Sequence, residues 1–256
     1  MQRIHEDIHE NENNWVCAIS GRPGFGKSFS AITLALSLYP SFTEMHVAFS
    51  EEEFLKLVDE LPEGSIIVAD EIAEWFSSRS FMKSENRDIS TIFQIFRLCR
   101  FGVIATLPEM RQGDKDLRTM SNAYIQTLKK HKSINKVECK YFEVEMDSIR
   151  GKKPITKYPI IRGEDGYKKK IKRVFIDRMP KALEKKYMKR KREFTKRIIK
   201  EKREAARLRR EKKDENVNEH NNNETCPRCK KGWYCAGKSI FRKCSECGFQ
   251  YTKKKK

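Results

Sequence analysis

A chain of 256 residues, 38% of them hydrophobic, is long enough for one substantial core and a small module besides, and no apolar run in it approaches the ~20 residues that span a bilayer. The formal charge of +19 is unevenly placed: residues 1–180 carry 28 basic and 26 acidic side chains, residues 181–213 carry 17 against 5, and residues 221–256 carry 10 against 2. This excludes a uniformly basic protein and implies a near-neutral body with a cationic tail suited to a polyanion, most simply nucleic acid, with an anionic membrane surface or a solvated spacer as plainer readings.

Met1 to Asn14, rich in Glu, Asn and His, has no signal-peptide core, so the expected compartment is the cytoplasm. Cys17, Cys99 and Cys139 sit among apolar neighbours as reduced core residues do, and the other five cysteines crowd the C-terminus.

Trp15 to Ile19 reads as a buried strand, and the stretch Gly21-Arg22-Pro23-Gly24-Phe25-Gly26-Lys27-Ser28 that follows matches G-x-x-x-x-G-K-[ST] in full. Phe29 to Tyr39 then continues at helical spacing until Pro40. Strand, glycine-rich turn and helix are the context a phosphate cradle needs. The glycines let successive N–H groups aim at one concavity, and the helix adds the positive end of its dipole. Residues 21–29, Phe29 included, are the expected nucleotide-binding set. Lys27 would reach the β- and γ-phosphates, and Ser28 would place its hydroxyl on Mg2+.

Met45 to Phe49 reads as a short strand. Ser50 and Glu53 form a capping box opening a helix to Leu61, and Pro62-Glu63-Gly64 turns the chain back. Ser65 to Ala69 is an apolar strand ending in Asp70-Glu71, so two carboxylates emerge where ligands of open α/β sheets bind. In a nucleoside triphosphatase the first holds Mg2+, directly or through water, and the second polarises the attacking water. The plainer reading is a strand end.

Ala73 to Arg87 has no clear period and reads as a loop with a short helix. Ile89, Ile92, Phe93, Phe96 and Cys99 fall on one helical face. Gly102 to Thr106 reads as a further central strand whose Thr106 would face the γ-phosphate or the water beside Glu71, or else is a surface threonine before the Pro108 turn. Asp114 to Met120 reads as a helix and Ala123 to Leu128 as a strand. Lys136 to Met146 alternates as a half-exposed strand with Val137, Cys139 and Tyr141 inward and Phe142 a further inward candidate, and Ile171 to Ile176 is its expected partner. Gly151 to Lys170 reads as a basic loop or hairpin, and the body is expected to end near Pro180. The alternation of strands and helices implies an α/β fold with a central, mostly parallel sheet.

Lys181 to Lys213 contains no proline or glycine. Leu183, Tyr187, Phe194, Ile198 and Ala205 place one thin apolar stripe along a long basic helix, read either as a nucleic-acid or partner contact or as a spacer docking its stripe on the body. Residues 214–224, with their Asn run, read as a linker. Cys226 and Cys229, then Cys244 and Cys247, form two C-x-x-C knuckles separated by 14 residues. Four thiolates at that spacing suit a closed tetrahedral Zn2+ site, and a ribbon of about 30 residues draws its folding energy from the metal. Its aromatics, including Trp233, Tyr234, Phe241, Phe249 and Tyr251, either stack on bases or form its small core.

The order of these motifs resembles the P-loop ATPases with an extra strand and a catalytic glutamate, and within them the DNA-pumping group of FtsK, HerA and viral genome-packaging ATPases, with most likeness to Zot-like ATP-binding proteins of archaeal viruses and plasmids. The carrying residues are Gly21 to Ser28, Ile66 to Glu71, Trp75 to Arg79 with Lys83 and Asn86, and Phe93 to Arg118, a likeness over residues 12–180. It implies a ring-forming, nucleic-acid-stimulated ATPase in the cytoplasm, the host's if the source is viral. Lys27, Ser28, Asp70 and Glu71 would act as above, and Arg97, Arg100 or Arg79 would reach the next subunit's γ-phosphate. Adenine is the expected base, since no N-K-x-D motif follows the cradle. The sequence departs from many such relatives in having Leu107 and Pro108, where a glutamine follows the strand's threonine.

The expected function is therefore an ATP-hydrolysing DNA translocase or packaging motor. The alternatives are an ATP-switched DNA-binding, replication or partition factor that moves nothing, and a tail that recruits protein rather than DNA.

Overall fold

The structure, a computed structural model, describes residue 4 and residues 14–75, 100–109, 115–145, 155–163, 166–222, 228–229, 241–244 and 246–252. It divides into two units, Met1–Arg192 and Glu193–Lys256.

The first unit is built on β1 (Trp15–Ser20), every residue of which is buried. A continuous apolar strand of this kind belongs at the centre of a sheet covered on both faces. Parallel to it on one side lie β4 (Gly102–Leu107), then β3 (Ile66–Ala69) and the two-residue β2 (Val47–Ala48). On the other side β5 (Ala123–His131) is also parallel to β1, and β6 (Lys136–Glu145) returns antiparallel. β7 (Ile155–Lys157) and β10 (Val174–Asp177) pair with β6. Among the described residues the sheet is thus mixed, with a parallel centre. One strand, β4, stands between β1 and β3, so the strand that feeds the glycine-rich turn is not adjacent to the strand that ends in Asp70.

Helix α1 (Lys27–Leu38) starts directly after Gly26, stops at Tyr39 before Pro40, and packs across β1, β3 and β4. Helix α2 (Glu51–Glu60) starts where Ser50 Oγ accepts the Glu53 N–H at 3.2 Å. The reciprocal arm of the capping box lands one residue early: Glu53 Oε2 accepts from the Phe49 N–H at 3.1 Å. The expected strand from Met45 to Phe49 is shortened because Thr43 caps a single 3-10 turn, Glu44–His46, ahead of it. An apolar cluster on the sheet gathers Val16, Val103, Ala105 and Leu107 with Phe54 of α2 and Leu117 of α3 (Lys115–Met120).

The expected basic connection is a hairpin, β8 (Ile160–Arg162) with β9 (Lys168–Lys170), which leaves Ile160, Ile161 and Tyr167 exposed. Helix α4 (Lys181–Asn222) begins at the expected body boundary. It continues through residues 214–222, assigned from sequence to a linker, because that stretch has polar residues but no helix breaker. The first twelve residues of α4 belong to the first unit.

The described part of the second unit includes the hairpin of β11 (Phe241–Lys243) with β12 (Gln250–Thr252), joined through Cys244 and Gly248. No helix among the described residues is long and apolar enough to cross a membrane.

Candidate nucleotide and metal site

The glycine-rich turn leaves the C-terminal end of β1 and enters α1 through Gly26, whose φ of 88° is left-handed. The turn is tied at its start by Gly21 N–H to Pro108 O (3.2 Å), at its middle by Phe25 N–H to Arg22 O (3.2 Å), and at its end by Ser30 N–H to Gly26 O (2.8 Å). The β5–β6 hairpin lies tight against it. A Cβ at Gly21 would come within 2.0 Å of Thr127 Oγ1, and one at Gly26 within 2.9 Å of Val137 Cγ2. Glycine is therefore demanded by close approach as well as by backbone conformation. Phe29 borders a cavity of about 200 Å3 whose walls include Lys130, His131, Val137 and Arg178, and Lys130 Nζ stands 5.0 Å over its ring.

Asp70 leaves β3 at the same sheet edge. Its Oδ1 accepts from Ser28 Oγ (2.7 Å) and Thr106 Oγ1 (2.8 Å). Asp70 is 2% exposed. Burial pushes its pKa up, but the Lys191 ammonium and the hydroxyls of Ser28 and Tyr187 outweigh burial and hold the carboxyl below its usual range. Glu71 follows in a left-handed conformation (φ 56°), fixed by its N–H donating to Thr106 Oγ1 at 2.8 Å. Thr106 is fully buried, with its hydroxyl donated to Asp70. It is therefore not the surface threonine of the plainer reading: its hydroxyl joins the Asp70 carboxylate to the Glu71 amide. Burial lowers the Lys27 pKa, opposed by Glu71 and Asp70, and Lys191 adds to the lowering.

The sequence reading missed the contribution of α4. Tyr187, buried among Phe29 (ring centroids 6.3 Å) and Phe49 (6.0 Å), donates its hydroxyl to Asp70 Oδ2 at 2.7 Å. Lys191 Nζ contacts the same Oδ2 at 2.7 Å and Glu71 Oε1 at 3.1 Å. Arg190 anchors the turn, donating to the carbonyls of Glu44 and Val47 and pairing with Glu53 Oε2 at 3.3 Å. Burial lowers the Lys191 pKa and the Asp70 charge more than reverses it, so Lys191 stays protonated. Burial and Asp70 together raise the pKa of Tyr187, which keeps it a donor. The apolar stripe placed Tyr187 on an inward face, and Lys191 four residues on shares that face. Nothing in the sequence separates it from its basic neighbours.

Of the candidate arginines, Arg79 and Arg97 lie outside the described residues. Arg100 sits just before β4, at the sheet end opposite the cradle, 3.5 Å from Glu63 Oε2.

In the second unit the sulfurs of Cys229, Cys244 and Cys247 all lie within 4.8 Å of one another, and Cys226 lies outside the described residues. N–H donation from Cys247 lowers the Cys244 thiol to about 7 despite its burial, a donor set biased toward thiolate. In the body, burial pushes the Cys139 thiol up to about 12 and Cys17 higher still, as befits inert core residues.

No protein-family model matches the chain, and no curated protein matches it. Among solved structures, the N-terminal domain of zonular occludens toxin from Neisseria meningitidis is similar at 14% identity and a TM-score of 0.36, over 53% of this chain and 87% of that one.

Proposed function

We propose that the chain is a Mg2+-dependent ATPase that moves DNA as an oligomeric ring. The observation that carries the ATPase reading is the 2.7 Å bond from Ser28 at the start of α1 to Asp70 at the end of β3, across the intervening β4. It brings the cradle's hydroxyl and an ionised carboxylate to one point below a helix N-terminus.

These hard oxygen donors suit a small divalent cation. Ser28 and Asp70 would hold Mg2+, which when bound offsets the charge that builds on the phosphates. Lys27 and the N–H groups of residues 24–28 bind and orient the β- and γ-phosphates. Glu71, carried beyond Asp70 by its left-handed backbone, takes a proton from the attacking water at a carboxylate oxygen. The cavity beside Phe29 would receive the nucleoside. The three clustered thiols, joined by Cys226, would close a Zn2+ site, and the basic stretch 181–213 and the ribbon's lysines would track a DNA backbone.

A second reading, an ATP-switched DNA-binding or replication factor without translocation, is favoured by the occupation of Asp70 and Glu71 by Lys191, which suits slow turnover. Steady-state hydrolysis with and without single- and double-stranded DNA, at two salt concentrations, separates them. Stimulation of about tenfold or more that disappears in Lys27→Ala and Glu71→Gln supports the motor. DNA binding without stimulated turnover supports the switch.

A further inference from the structure

Every acceptor position of Asp70 is filled. A carboxylate offers about four lone-pair sites. Here Oδ1 serves Ser28 and Thr106, and Oδ2 serves Tyr187 and Lys191. Ser28 and Thr106 come from the cradle and from β4, and their contacts are compatible with a cation resting on the outer face of Ser28. The other two partners arrive from α4. While they stay, neither a metal ion nor a water bound to one has a place on Asp70, and Glu71 is neutralised by the same ammonium at 3.1 Å.

We propose that the first three turns of α4 are an autoinhibitory plug in the metal end of the nucleotide site, with Lys191 an internal cation that Mg2+–nucleotide must displace. The inference rests on the nucleotide reading above. Lys27, Lys191, Asp70 and Glu71 together form a charge-balanced cluster, which is why the closed arrangement is self-sufficient without ligand. Burial of Tyr187 against Phe29 and Phe49, together with the Arg190 anchors, holds the plug in one register. A divalent cation brought to Ser28 and Asp70 meets the fixed positive charge of Lys191 at close range, so the two exclude each other. Apparent affinity for Mg2+–nucleotide is then reduced by the fraction of molecules in the closed form. A direct catalytic role fits less well, because the ammonium occupies a Glu71 oxygen that the attacking water would need.

The test uses the full chain and reads binding and backbone protection as well as turnover. Hydrogen exchange of residues 183–192 in the wild-type protein should accelerate when Mg2+–ADP is added at saturation, and unchanged protection with nucleotide bound overturns the plug. Calorimetric titration with Mn2+–ADP should show about tenfold tighter binding by Lys191→Met, which loses the ammonium contacts to Asp70 and Glu71 that hold the closed state. Lys189→Met, on an exposed neighbouring position, should bind as the wild type does. Metal-free ADP should distinguish the variants far less. Equal or weaker Mn2+–ADP binding by Lys191→Met, or intact binding with abolished turnover, overturns the proposal. The nucleotide reading fails separately, if Lys27→Ala leaves ADP affinity unchanged, and takes the plug with it if no variant binds ADP at all.

Discussion

At the scale of single residues, Thr106 has the clearest consequence. Its hydroxyl is the joint between two adjacent acids, accepting from the Glu71 amide and donating to Asp70, and it is wholly buried. Thr106→Val keeps the shape but takes this partner from the Glu71 N–H and from a lone pair of the buried Asp70 carboxylate. A destabilisation of about 1–3 kcal/mol is expected from urea unfolding. The same change should release Glu71 from its left-handed conformation, which a non-glycine residue holds only at about 1–3 kcal/mol of local strain. Hydrolysis should therefore fall more steeply than nucleotide affinity. A variant with wild-type stability and wild-type turnover would refute this role for Thr106.

At the scale of elements, the cradle depends on the β5–β6 hairpin as much as on its own glycines. Gly26→Ala meets both a φ of 88° and the Val137 side chain at 2.9 Å. Its stability should drop by about 1–3 kcal/mol, and Gly26→Ala combined with Val137→Ala should relieve the steric part and leave the conformational part. Urea midpoints of the two variants give the partition, and identical midpoints would mean that the hairpin does not press on the turn. The elements that the sequence made legible share a strong local signal. β1 and β3 are unbroken apolar runs, α1 follows a glycine-rich turn, and α2 has Ser50 as its cap. Strand order was less legible, since the pairing of β4 with both β1 and β3 is a long-range choice that no window of sequence contains. β2 shrank because a 3-10 turn capped by Thr43 competed for its first residues. In the site, the turn and the Asp70–Glu71 pair carried motif-level spacing, whereas Tyr187 and Lys191 reach Asp70 across more than a hundred residues from a helix whose composition reads as a nucleic-acid or partner contact or as a spacer docked on the body.

At the scale of the whole molecule, the two units are stabilised by different means. The first buries a sheet between apolar layers; the second brings three thiols together beside a hairpin of two three-residue strands. Removing metal with a strong chelator should abolish amide protection at residues 241–252 and release about one Zn2+ per chain, while leaving the urea midpoint of the first unit unmoved. Retained protection without metal would show that the ribbon folds on its aromatics. The docking of Tyr187, Arg190 and Lys191 also bears on where the first unit ends. The composition break invites a truncation after Pro180, yet that cut would strip Asp70 of two partners and uncover Phe29 and Phe49. A chain shortened there would carry a sticky apolar scar and an unshielded carboxylate, so its solubility and metal affinity would report on the surgery instead of on the native unit; the natural edge of that unit lies at Arg192.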